Sequence, residues 1–295
     1  MTTFLVNPAS AAGATGRRWA AIQRRAAAAG LEGDVLFSER PGHLAELARE
    51  AATGGERLLV VVGGDGSVHE VANGIAELEG VEIAVIPRGT GWDFARSQGI
   101  PHRLESAIQI ARNGRARTID LGRATYRDGR SIFANVASAG MSGAIARRAN
   151  ETTKALGGKV SYLAATLSVF RRWQAGEMRV TVDGEERSGR MHDVIVALGP
   201  YLGGGMKMCP DADPSDGKFD VLLIGNLDKR DLVLTLPKIY RGTHLPHPKA
   251  EILRGATVTI DADEPIPVQL DGEQPGTTPV RFEVLPGALR VRVPA

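Results

Sequence analysis

Short apolar runs separated by helix-forming stretches set the rhythm of the first hundred residues. Phe4-Leu5-Val6 ends at Asn7-Pro8, and residues 16–29 (GRRWAAIQRRAAAA) then supply helix formers up to a stop at Gly30. Val35-Leu36-Phe37 predicts a second strand and residues 42–52 a second helix. The run RLLVVV at 57–62 is continuously apolar and meets glycines, the pattern of a strand buried on both faces. Residues 67–79 predict a helix and 81–86 (VEIAVI) another strand. This βαβα alternation predicts a parallel sheet with helices on both faces.

Beyond residue 118 strand-like segments dominate, at 131–138, 178–183, 192–199, 219–224, 256–260, 266–270 and 280–284. Turn dipeptides stand between them, among them Asp128-Gly129, Asp183-Gly184 and Asp271-Gly272. Helical stretches interrupt at 143–173, with a break at Gly157-Gly158, and at 228–241. The expected fold is therefore an α/β N-terminal domain with a parallel sheet, followed by a mostly antiparallel, β-rich C-terminal domain with inserted helices. The expected boundaries are 1–118 and 119–285, with 286–295 returning to the first domain.

Bulk composition narrows the classes. The chain has 295 residues and a formal net charge of +2, too small an excess to argue for nucleic acid. Its single cysteine, Cys209, excludes a disulfide framework and fits a reducing compartment, as a structural rather than nucleophilic thiol. The N-terminus MTTFLVNPAS lacks a basic segment followed by a long apolar run, and no apolar stretch reaches bilayer-spanning length. A cytoplasmic protein is expected.

Three loops carry candidate chemistry. Gly63-Gly64-Asp65-Gly66-Ser67 follows a buried strand and opens a helix. Glycines there let backbone N–H groups approach a phosphate, and the helix N-terminus adds partial positive charge. Asp65 would repel phosphate unless a cation lay between them, which points to Mg²⁺; the alternative is a helix-capping carboxylate. Arg88-Gly89-Thr90-Gly91-Trp92-Asp93 repeats the strand–loop–helix context, and Asn7-Pro8-Ala9-Ser10 with Gly13 and Gly16 follows the first strand. All three fall at the C-terminal edge of the expected sheet, where such folds bind ligands. A Walker A loop is missing, since Gly158-Lys159 continues with Val160, and no GxGxxG follows the first strand.

The order and spacing of NPAS at 7–10, GGDGSVHEV at 63–71, PRGTGWDFAR at 87–96, IDLG at 119–122, NVASAG at 135–140, GGGMKMCPDADPSDGKFDV at 203–221 and LDGE at 270–273 resemble the diacylglycerol-kinase catalytic family, specifically its bacterial lipid-kinase branch. The resemblance runs nearly end to end. It implies ATP, Mg²⁺, a lipid bearing a free hydroxyl, an active site between the two domains and transient contact with the inner face of the membrane. It also implies a nucleotide site of Asn7, Pro8, Ala9, Ser10, Ala11, Ser38, Gly63, Gly64, Asp65, Gly66, Ser67, Val68, His69, Gly89 and Thr90, with Asp120 in support. Asp65 would act on the phosphate–metal network. Glu273, with Asp271 beside it, would accept the hydroxyl proton, and Asp216 with backbone oxygens of Asp213 and Lys218 would hold a second Mg²⁺. A homodimer is left open.

Some features depart from the family or read two ways. Trp92 stands where the family usually has Asn, so it either stacks on a neighbour or alters substrate selection. Asp183-Gly184-Glu185 has the same local form as Asp271-Gly272-Glu273, and both suit a two-residue hairpin turn. His244 and His247 read as ordinary surface or core residues, too few to make a metal site. Arg171-Arg172-Trp173 reads as a solvated helix end, with a membrane interface as the alternative. An NAD kinase, a sugar-phosphate kinase using the GGDGS loop, or a non-catalytic nucleotide- or membrane-binding protein remain alternatives.

Overall fold

The computed structural model describes residues 2–89, 91–156, 166 and 168–295, with the side chains of 149–156 and 232 outside the description. The chain divides into two compact units, Met1–Leu121 with Pro286–Ala295, and Gly122–Leu285.

The first unit alternates β1 (Thr2–Val6), α1 (Ala14–Ala28), β2 (Asp34–Phe37), α2 (His43–Thr53), β3 (Leu58–Gly63), α3 (Asp65–Ile75), β4 (Glu82–Pro87), α4 (Asp93–Ser97) and α5 (Leu104–Asn113). The strands lie in the order β2–β1–β3–β4, all parallel, and β4 is flanked by the end of strand Val280–Val293 through Arg290 and Val291. Every residue of β3 is buried, as its unbroken apolar run requires of a central parallel strand. Phe4, Val6, Val60, Val62, Ala84 and Ile86 pack against Trp19, Ile22 and Ala26 of α1 and Ile108 and Ala111 of α5. Trp19 meets Phe4 edge-on at 5.7 Å. Between β1 and β3 the order of connection reverses, because the chain runs outward to β2 on one side and to β4 on the other. In open α/β sheets this reversal leaves a crevice at the C-terminal strand ends.

Helices α3 and α5 differ most from expectation. Helix α3 begins at Asp65 rather than Ser67, so the GGDGS loop is already the first helical turn. Helix α5 was not foreseen: its buried face is Ala107, Ile108 and Ala111, too small a stripe to stand out from the polar residues around it.

The second unit is antiparallel throughout its ladders. Strand Glu185–Ala197 is its axis, pairing with Gly176–Val182 through its first half and with Val136–Gly140 and Phe219–Gly225 through its second. Further strands extend the sheet through Thr257–Ala262 and the first residues of Val280–Val293, and through Pro267–Leu270 and Glu273–Thr277. The core stacks Phe133 on Phe219 at 5.7 Å and sets Phe133 edge-on to Phe282 at 5.9 Å. Val136, Ile195, Met208, Cys209 and Leu222 form a second cluster, so Val136–Gly140, the later part of Glu185–Ala197 and Phe219–Gly225 are buried on both faces.

The single strand expected at 131–138 is two strands, Gly129–Phe133 and Val136–Gly140, because the N–H groups of Ala134, Asn135 and Val136 turn to the Asp271 carboxylate. Strands Arg115–Tyr126, Ala250–Gly255 and Glu273–Thr277 were not foreseen from the pattern. Helix Met141–Leu156 occupies the start of the helical stretch expected at 143–173, and the Gly157-Gly158 break lies outside the described residues. Among the described residues no helix is long and apolar enough to cross a membrane.

Candidate active site

The C-terminal ends of β1, β2, β3 and β4 bring four loops to one edge of the first unit. Asn7 follows β1, and its backbone N–H donates to Val62 O of β3 at 3.0 Å. Its side chain works in two directions: Oδ1 accepts from Ala9 N at 3.0 Å and Nδ2 donates to Ser67 Oγ at 3.1 Å. Ser10 Oγ donates to Asn7 O at 2.9 Å and shares a hydrogen with Thr15 Oγ1 at 2.6 Å. Ala11 then takes φ 53°, a left-handed turn into α1. Pro8 is half-buried and Ala9 is exposed. Ser38, just past β2, donates its N–H to Val6 O at 2.9 Å.

The loops after β3 and β4 meet backbone to backbone. Arg88 N donates to Gly63 O at 2.6 Å, and a Cβ placed on Gly89 would lie 2.6 Å from Gly64 Cα. A Cβ on Gly91 would lie 2.7 Å from Asp65 Oδ2. These glycines are therefore demanded by the contact of two loops, besides whatever close approach a ligand needs. The N-terminus of α3, with Gly64, Asp65 and Gly66, faces this junction; Ser67 is 3% exposed and held by Asn7.

Asp65 binds the other loop. Its Oδ2 accepts from Asp93 N at 3.0 Å and its Oδ1 from Phe94 N at 3.1 Å, so the carboxylate caps α4 rather than its own helix. Trp92, at the N-cap of α4, carries the Arg96 guanidinium 4.2 Å above its ring and lies 5.4 Å from the His102 ring. Stacking is what replaces the amide at this position.

Four expected nucleotide-site residues need separate placement. Val68 has its side chain 2% exposed in the core and its N–H bonded to Gly64 O within the helix. His69 is half-buried one position further along and accepts Asn73 Nδ2 on its carbonyl. Thr90 lies outside the described residues. Asp120, buried, accepts Gly287 N at 2.8 Å and so fastens strand Arg115–Tyr126 to the returning C-terminal segment of the same unit.

The two DGE sequences of the second unit fold alike. Asp183 and Gly184 take φ 47° and 93°, and Asp271 and Gly272 take 50° and 96°, the left-handed pair of a tight hairpin turn. Each aspartate reaches across to backbone. Asp183 accepts from Ala256 N and Thr257 N, and Asp271 from Ala134 N, Asn135 N and Val136 N at 2.7–3.1 Å. Asp271 thus holds the backbone at 134–136, its oxygens accepting from three main-chain donors. The exposed glutamates of the two turns differ: Glu185 pairs with Arg187 at 2.5 Å, whereas Glu273 begins an edge strand.

At the expected second Mg²⁺ position the Asp216 and Asp213 side chains are engaged by protein groups. Asp216 Oδ1 accepts Lys218 N at 3.0 Å, and its Oδ2 is taken by the Arg254 guanidinium, whose Nε also stands 3.4 Å from Asp220 Oδ1. Asp213 Oδ1 accepts Ser215 N and Oγ at 3.0 and 2.7 Å. Among the described residues no three His, Cys, Asp or Glu side chains group as a metal site. Arg254 supplies the positive charge here. Burial pushes the Asp220 carboxyl up, Arg254 pulls it down, and Asp216, Asp211 and Asp213 push it up again. His244 and His247 also serve the backbone: the His244 ring bonds Met208 O, and His247 Nδ1 accepts Lys249 N. Burial raises the Cys209 thiol's pKa, which suits a structural cysteine.

Sequence reasoning missed Arg254 and Asp193. Arg254 lies in an unforeseen strand, and only the pairing Asp220↔Arg254 across the ladder reveals it. Asp193 is fully buried at the start of helix Met141–Leu156, accepting Ser142 N at 2.8 Å and the Ser142 hydroxyl, and burial pushes it up to about 7. A cavity of about 470 Å³ with Thr2, Leu58 and Glu82 in its lining lies at the opposite strand ends from the loops.

Residues 1–124 match the diacylglycerol kinase catalytic domain, and residues 135–293 match the YegS C-terminal NAD kinase beta sandwich-like domain. The chain is 32% identical over 268 residues to the "Probable lipid kinase YegS-like" of Pseudomonas aeruginosa PAO1, covering 90% of this chain and 86% of that one. It is 27% identical over 293 residues to the diacylglycerol kinase of Bacillus subtilis strain 168, covering 99% and 95%. Its fold resembles a crystal structure of a diacylglycerol kinase from Bacillus anthracis strain Sterne, with TM-score 0.74 and 22% identity over 99% of this chain and 96% of that one.

Proposed function

The chain belongs to the YegS-like and diacylglycerol-kinase family of lipid kinases, and we propose that it transfers the γ-phosphoryl group of ATP to the hydroxyl of a membrane lipid, diacylglycerol being the leading acceptor. The observation that carries this reading is the hydrogen bond from Asn7 Nδ2 to Ser67 Oγ. It ties the first loop to the glycine-rich turn of α3, at the sheet edge where the order of connection reverses. Phosphoryl transfer asks mainly for positioning and charge neutralisation, and backbone N–H groups at a helix start supply both.

In this reading the N-terminus of α3 and the loop around Gly89 hold the phosphates, and Asn7, Ser10 and Ser38 line the nucleotide. Asp65 keeps the loop after β4 in place by capping α4. ATP would enter as its magnesium complex, and the magnesium would neutralise phosphate charge during transfer. Glu273 is the base that orients the acceptor hydroxyl; Asp271 fixes the turn that carries it. The protein works in the cytoplasm, visiting the membrane surface for substrate.

The test is incubation of the purified protein with γ-labelled ATP and Mg²⁺ over mixed micelles of diacylglycerol, phosphatidylglycerol, ceramide and prenyl alcohols, with NAD in a parallel tube. A labelled lipid supports the proposal. Label in NADP alone, or in nothing across the panel, overturns it.

A further inference from the structure

Exposed large apolar side chains are concentrated in one place. Among the described residues they are Phe37, Val233, Leu234, Leu236 and Tyr240, and four of these five belong to helix Lys229–Arg241. Val233, Leu236 and Tyr240 stand at spacings of three and four, which puts them on one face. Leu234 is 70% exposed and widens that face together with exposed Pro237. On the other side, Thr235 is buried and Ile239 packs against the cluster around Val136, Met208 and Cys209. The helix is thus seated on the second unit by one side and turns an apolar side to solvent.

Its charges are one-sided as well. Lys229, Arg230, Lys238 and Arg241 are exposed on the same helix, against Asp231 as its one acid. A start capped by Asp228, whose side chain accepts Asp231 N at 2.8 Å, and a left-handed stop at Gly242 make it a complete, well-terminated helix. Beside its first turn lies a cavity of about 390 Å³, with Phe170, Trp173 and Leu227 in its wall and Arg190, Lys229 and Asp228 among its polar lining.

We propose that the outward face of helix Lys229–Arg241 is a docking surface for an anionic lipid bilayer, its apolar residues entering the acyl boundary and its four cations meeting lipid headgroups. The combination of an apolar face with a basic fringe is that of a helix lying in the interface plane. A second copy of the chain suits it less, because a two-fold contact would oppose four cations to four with one acid on each side. The inference builds on the lipid-kinase reading by naming where such an enzyme meets its substrate surface, but it stands on the helix's own chemistry.

The whole protein, without nucleotide, is sedimented with vesicles of phosphatidylglycerol and phosphatidylcholine in equal amounts, and with phosphatidylcholine alone. The wild type partitions at least about tenfold better onto the anionic vesicles, and Leu236→Asp/Tyr240→Asp and Lys238→Glu/Arg241→Glu each reduce that partition about tenfold. Melting temperature and phosphorylation of a short-chain, dissolved acceptor stay unchanged in both variants. Should the aspartate pair lower the melting temperature, Leu236→Ser/Tyr240→Ser takes its place. Absence of wild-type binding, or equal binding by the variants, overturns the proposal. So does unchanged vesicle binding with conversion of a dimer to a monomer in the ultracentrifuge, which makes the face a contact between copies. If vesicle binding follows the expected pattern while no lipid is phosphorylated, the docking surface stands and the kinase reading falls.

Discussion

Asn7 Nδ2 donates to Ser67 Oγ at 3.1 Å, joining two loops sixty positions apart in the chain. Ser67 is 3% exposed, so the amide is its means of satisfying a buried hydroxyl. Asn7→Ala should cost about 1–3 kcal/mol in urea unfolding, and should weaken ATP binding by about tenfold in calorimetry. An unchanged ATP affinity would detach this bond from the nucleotide site.

The contact of Gly89 with Gly64 predicts a second effect. A methyl group on Gly89 would meet Gly64 Cα at 2.6 Å, and backbone cannot yield as a side-chain tip does. Gly89→Ala should destabilise by about 1–3 kcal/mol and separate the two loops. Its ATP affinity should fall further than that of Asn7→Ala, read by the same titration.

Glu273 and Asp271 should separate cleanly. Glu273→Gln should leave the melting curve unchanged and reduce kcat by about 10²–10⁴ at constant KM for ATP. Asp271→Asn should lower the melting temperature, since an amide cannot accept all three of the N–H bonds from Ala134, Asn135 and Val136 with both of its ends. Equal losses of kcat at equal stability would return Asp271 to the chemistry.

Removing metal should leave the acidic loop intact. With Arg254 beside Asp216 and Asp220, chelation by EDTA should not move the melting temperature of the nucleotide-free protein, although it abolishes phosphoryl transfer. Arg254→Met should cost about 1–3 kcal/mol, because it strands two neighbouring acids, and millimolar Mg²⁺ should restore part of the loss. A wild-type melting temperature that falls in EDTA would show a resident cation.

Asp193 predicts a pH dependence. Its carboxyl is pushed from 3.8 to about 7 by burial, so the folded protein keeps a proton that the unfolded chain has lost. Stability from this group is complete below pH 3.8 and declines as the pH rises toward 7. Asp193→Asn should flatten the melting temperature against pH over that window and make the variant relatively more stable at pH 8. A parallel pair of curves would sink this account.

The regular strands of the first unit were legible because a buried parallel strand must be apolar throughout, and LLVVV at 58–62 is. The three loops were legible as well, since glycine and proline punctuate the strand ends. Helix α5 and strand Ala250–Gly255 were not, because their buried faces are small or half-covered and leave little periodicity. The DGE repeat shows the limit most clearly. Two identical tripeptides fold into the same turn, and their local letters give no means of telling Glu185 beside Arg187 from Glu273 on an edge strand.

By itself, then, the sequence determined where the chain turns, which runs are buried, and that GGDGS opens a helix, since these follow from local sterics and from the period of apolar positions. Only the tertiary structure decided what the polar side chains hold: Asp65 the start of α4, Asp271 the backbone at 134–136, Arg254 the acidic loop, and Asn7 the Ser67 hydroxyl of the glycine-rich loop. The reason is physical. A hydrogen bond or ion pair acts over about 3 Å, here between groups as far apart in the chain as Asp271 and Ala134, and no local pattern records which distant donor folding will bring there.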